Sequence, residues 1–77
     1  LDILTTIQTV IGEVLKLPPA AISPEALFHE LSISPIQAAN IEVTLENQLG
    51  LTPGILELER FGRVGELLNH IADLCNA

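Results

Sequence analysis

An all-α fold, a small four-helix bundle of three main helices plus one short third helix, is what this sequence predicts. Three observations carry that expectation. Aliphatic residues recur at three- and four-residue spacing in three separate segments. Each segment is bracketed by residues that start or stop helices. No segment shows the strict alternation of a half-buried strand.

The first helix is expected from about Asp2 to Lys16. Ile3, Leu4, Ile7, Val10, Ile11, Val14 and Leu15 form one wide apolar stripe. Asp2 supplies an N-cap oxygen, and Pro18-Pro19 prevent continuation because a proline forces the residue before it out of the helical region. A long connection follows, from about Leu17 to Ser32. Ile22, Leu27, Phe28 and Leu31 are expected to pin it across the bundle, and Ser23-Pro24 to start a single helical turn.

The second helix is the best defined, from about Pro35 to Leu49. Ser34 is its N-cap, and Pro35 occupies the first helical position, where a missing N–H costs nothing. Gln37 stands three residues after Ser34 and completes a capping box. Gly50 terminates the helix. Thr52-Pro53 repeats the cap-plus-proline pattern and predicts a short helix around Gly54 to Glu59. The last helix runs from about Arg63 to Leu74 on the stripe Val64, Leu67, Leu68, Ile71 and Leu74.

Size and composition exclude several functions. At 77 residues the chain forms one domain, 1–77. Because it starts with Leu1, it is expected to be part of a longer polypeptide. The formal charge is −7, with only Lys16, Arg60 and Arg63 basic, so there is no cationic stripe for nucleic acid or an anionic membrane. Phe28 and Phe61 are the only large rings, too few to form a stacking platform. Cys75 is the sole cysteine, which rules out an intramolecular disulfide. His29, His70 and Cys75 lack metal-ligand spacing, and no metal is expected. No run is long enough to span a membrane and no signal peptide is visible; a cytoplasmic location is expected. No nucleophile and base are suggested by spacing, so independent catalysis is not expected.

The second helix carries two apolar stripes. At 100° per residue, Ala38, Ile41, Leu45 and Leu49 fall on one side and Ile36, Ala39 and Val43 nearly opposite. The first stripe suffices for the core. The second either packs under the long loop or the short helix, or docks a partner. On the docking reading, Glu42 and Glu46 form a charged rim that Glu57 and Glu59 extend, and binding weakens with salt. A monomer is expected, with self-association through the second stripe as an open alternative.

With these residues in place, the chain resembles the carrier proteins of fatty acid, polyketide and nonribosomal peptide synthesis, most of all the acyl carrier domains of modular polyketide synthases. Leu27-Phe28 and Leu31-Ser32-Ile33-Ser34-Pro35-Ile36 lie where that family writes Leu-Phe and Leu-Gly-Leu-Asp-Ser-Leu. Ala38, Leu45-Glu46 and Leu49-Gly50-Leu51 keep the family's spacing, and Phe61-Gly62-Arg63-Val64 falls where the family has Tyr-Pro-Thr-Val. The resemblance implies a four-helix bundle of the acyl-carrier-protein type covering nearly the whole chain.

In that family the serine of Asp-Ser-Leu bears 4′-phosphopantetheine, whose thiol holds the acyl group. In this register the serine corresponds to Pro35, its aspartate to Ser34, and the family's glycine to Ser32. The resemblance therefore implies a carrier-like domain with no cofactor, docking to other domains or subunits of a synthase through a basic and apolar surface. The alternative is a working carrier that attaches phosphopantetheine to a non-standard serine, Ser34 or less readily Ser32. A domain that only fills space is a third reading.

Overall fold

A computed structural model describes residues 2–76. Its three α-helices are α1 (Ile3–Leu15), α2 (Pro35–Leu49) and α3 (Val64–Cys75). Three short 3₁₀ turns, Pro19–Ala21, Phe28–Leu31 and Leu58–Arg60, punctuate the connections. Among the described residues there is no strand, only an isolated bridge between Leu27 and Arg63.

The core follows the helical stripes. Ile7, Val10 and Ile11 of α1, Ile41 and Leu45 of α2, and Val64, Leu67 and Ile71 of α3 are buried together. The long connection adds Ile22 and Phe28 to this cluster, as their apolar character demanded. The Gln8 side chain donates to the Ile22 carbonyl at 3.0 Å, which ties that connection to α1.

Helix ends match local chemistry closely. Asp2 accepts from the Leu4 N–H at 3.2 Å and begins α1. α1 ends at Leu15, one residue before the expected end, because Lys16 adopts the left-handed conformation with φ 61°. The chain then folds back, and the Leu17 N–H donates to the Gly12 carbonyl at 2.9 Å. α2 has the expected bounds. Its capping box is complete, with Ser34 Oγ accepting from the Gln37 N–H at 3.2 Å and Gln37 Oε1 accepting from the Ser34 N–H at 3.0 Å. Gly50, with φ 68°, terminates it.

α3 starts differently. Arg63 is its N-cap and gives no side-chain bond. The N–H groups of Val64 and Gly65, which have no partner within the helix, donate instead to the carbonyls of Ala26 (3.0 Å) and Pro24 (2.8 Å). The turn at Ser23-Pro24, closed by the Ala26 N–H on the Ser23 carbonyl, thus serves as the cap of a helix that begins about forty residues later.

The short third helix expected around Gly54 to Glu59 is replaced by a different structure. Pro53-Gly54 form a turn, the chain then runs extended, and only Leu58–Arg60 make a single 3₁₀ turn. The reason lies on α2. Glu46 Oε2 accepts the Leu56 N–H at 3.0 Å, and Glu42 Oε2 accepts the Leu58 N–H at 2.8 Å. These alternate N–H groups are held by side chains, so they do not enter a helical ladder. Leu56 and Leu58 turn into the core while Ile55 and Glu57 face out, a period of two rather than 3.6.

Candidate functional site

The start of α2 is where the sequence concentrated its chemistry. Three residues fix its geometry. Ser32 is left-handed, with φ 54° and ψ 47°, and turns the chain out of the Phe28–Leu31 turn. Ser34 is extended and caps the helix. Pro35 is the first helical residue, exposed, with no hydroxyl and no N–H. The two hydroxyls nearest in sequence belong to Ser32 and Ser34, both exposed residues, and the Ser34 oxygen is engaged in the capping box.

Beside this corner lies an open groove of about 440 Å³, between α2 and the residues around Leu58–Phe61. Phe28, Ile33, Leu58 and Phe61 give it apolar lining, and Ser34 and Pro35 line it as well. His29, Glu42 and Glu59 bring polar groups to the same space. Phe61 also stacks at a tilt on His70, with ring centroids 5.2 Å apart. The groove went unnoticed in the sequence because its far wall depends on the extended path of Leu56 to Leu58. The alternation Leu56-Glu57-Leu58-Glu59 was the available signal, four residues long.

The second apolar stripe of α2 is on the surface. Ile36 is 83% exposed and Val43 55%, and Ala39 between them is exposed too. The packed alternative, in which the long loop or the short helix covers this stripe, is not what the chain adopts.

The charged rim is different from expectation. Glu46 is only 4% exposed and points at the backbone of Leu56, so it offers no charge to a partner. Glu42 is half-buried and holds Leu58 in the same way. Both sit one helical turn apart on the flank of α2 between core and solvent, where a carboxylate can replace water for an otherwise orphaned N–H. Glu57 and Glu59 remain exposed, and Glu57 pairs with Arg60 at 3.1 Å. Among the described residues, no three of His, Cys, Asp and Glu cluster to hold a metal ion. No described helix is long and apolar enough to cross a membrane.

A three-helix domain of this size, with a capped second helix opening beside a groove, is the architecture of a carrier domain. The family model described as the phosphopantetheine attachment site matches residues 5–71, and the chain belongs to this acyl and peptidyl carrier family. Comparison with curated proteins gave no match.

Proposed function

We propose that this is a non-loading carrier domain of a cytoplasmic polyketide synthase, or of a hybrid polyketide and peptide synthase, that acts by docking or positioning neighbouring domains. The observation that carries the reading is Pro35 at the first position of α2. In the register set out above, this is the position of the family's attachment serine. Two backbone features support that register. Ser32 has the left-handed backbone that favours the glycine written there, and Ser34 is the N-cap, a role the family's aspartate suits equally.

Pro35 and Ser34 do not fit a phosphopantetheine arm. The arm is held by a phosphodiester to a side-chain oxygen, and the Pro35 ring has none. The Ser34 oxygen accepts the Gln37 N–H, and esterification would turn it into a poorer acceptor at the helix end. The docking role rests on Ile36, Ala39 and Val43, which stay exposed while Ala38, Ile41, Leu45 and Leu49 of the same helix pack into or against the core. Of the acidic residues first placed around them, Glu57 and Glu59 keep exposed carboxylates.

The test is the intact mass after incubation with coenzyme A and a broad-specificity phosphopantetheinyl transferase. An unchanged mass is expected. A gain of one arm, mapped to Ser34 or Ser32, would establish a working carrier with a displaced attachment site and remove the non-loading reading.

A further inference from the structure

We infer that the groove beside α2 binds a small organic cation, a short apolar chain ending in a primary ammonium, without a covalent bond. The inference goes beyond the non-loading reading and does not depend on it. At about 440 Å³ the groove falls in the size range of small-molecule sites. Its apolar wall is made by Phe28, Ile33, Leu58 and Phe61. Phe28 and Leu58 belong to the core, and Ile33 and Phe61 pack against it. The wall is therefore in place before a ligand arrives, which spares the ligand the cost of ordering it. Phe61 is braced further by its stack on His70.

The charges decide the sign of the ligand. Glu42 and Glu59 line the same space. Glu42 is half-buried, and its bond to the Leu58 N–H uses Oε2. Among the described residues no donor meets its Oε1. A partly desolvated carboxylate with an idle oxygen gains a charge-assisted bond from an ammonium. The protein does not supply that cation itself. It has three Lys or Arg residues, and none of them lines the groove. Arg60 pairs with Glu57 at 3.1 Å, and Arg63 donates to the Glu25 carbonyl at 3.0 Å. Lys16 lines a shallow hollow between α1 and α2 instead. His29 is the one lining side chain able to carry a positive charge, and it is an exposed residue. An anionic chain would meet two carboxylates in a domain of net charge −7. A neutral chain would cover the apolar wall but strip water from Glu42 with no ionic donor in return.

The experiment titrates the ¹⁵N-labelled domain with n-hexylamine, 1-hexanol and hexanoate at about pH 8, where His29 competes least as a cation. The probes share a chain length and differ in the head group. Hexylamine is expected to shift the amide signals of Ile33, Leu58 and Phe61. Its Kd should be about tenfold lower than that of the alcohol or the carboxylate. That Kd should rise about threefold between roughly 50 and 500 mM NaCl. Glu42→Gln keeps an acceptor for the Leu58 N–H and removes the charge. With an unchanged circular dichroism spectrum it should weaken hexylamine binding by about tenfold. Glu59→Gln, at an exposed position, should weaken it by about threefold. Glu13→Gln, in the hollow between α1 and α2, should leave it unchanged. The inference is overturned if hexanol or hexanoate binds as tightly as hexylamine, or if both groove variants keep the parent's affinity. It is equally overturned if the hexylamine shifts gather around Glu13, or if no saturable shift develops by about 20 mM. The mass measurement reads the hydroxyls of Ser34 and Ser32 while this titration reads the groove, so either result can fail and leave the other standing.

Discussion

The carboxylate of Glu46, almost fully buried on the flank of α2, accepts the backbone N–H of Leu56 at 3.0 Å. One turn earlier, Glu42 does the same for Leu58 at 2.8 Å. These two bonds hold the segment after Pro53-Gly54 extended, send Leu56 and Leu58 into the core, and build the far wall of the groove. They also withdraw the only charges of α2 from its outward face.

Replacing Glu46 by Leu should therefore destabilise the domain although it makes the helix more apolar. The change leaves the Leu56 N–H buried without a partner, at a cost of about 2 kcal/mol. Glu46→Gln keeps an acceptor oxygen and should lose less. Urea unfolding of both variants checks this, and equal stability of Glu46→Leu and the parent would contradict it.

Gly12→Ala should be destabilising in spite of helix propensity, which alone would favour it by about 1 kcal/mol. A Cβ at Gly12 would lie 2.7 Å from the Leu17 carbonyl oxygen, and that oxygen belongs to backbone. Overpacking of this kind costs about 1–3 kcal/mol, so the clash wins. A rise in Tm would refute the close approach of Leu17 to α1.

Ser32→Gly should raise stability. Relief of the left-handed backbone is worth about 1–2 kcal/mol, and the added freedom of the unfolded chain takes back about 0.4–1. A net gain of about 0.5–1 kcal/mol is expected by chemical denaturation. Ser32→Val should instead lose stability, because a β-branched residue tolerates this conformation poorly.

Ser34→Ala should cost about 1 kcal/mol through loss of the capping box. Because Gln37 answers Ser34 across the same box, the double variant with Gln37→Ala should cost less than the sum of the singles. Strict additivity in the cycle would mean that the two bonds do not act together.

Pro35→Ser should convert the domain into a substrate for the transferase. It places a hydroxyl on the first residue of α2 while keeping the cap and the exposed position. The expected outcome is a mass gain of one arm on the variant and none on the parent. If the variant also stays unmodified, with its circular dichroism unchanged, a missing hydroxyl is not the reason for a failure to load.

The helices and their ends were legible in the sequence because local chemistry decides them. Asp2, the Ser34-Pro35-Gln37 group and Gly50 act on groups a few residues away, and each did in the structure what its type implies. The core stripe of α2 was legible for the same reason, since Ile41 and Leu45 repeat at one turn. What only the tertiary structure decided was the use of polar groups between distant segments. Two carboxylates in a helix read equally as solvated charges or as acceptors for a crossing chain. The choice depends on where Leu56 and Leu58 arrive, ten and sixteen residues later. The same holds for α3, whose first N–H groups are capped by Pro24 and Ala26 from a loop that the sequence marks only as a turn. Periodicity records which side of an element avoids water; it holds no record of which remote backbone group will need an oxygen once the elements have packed.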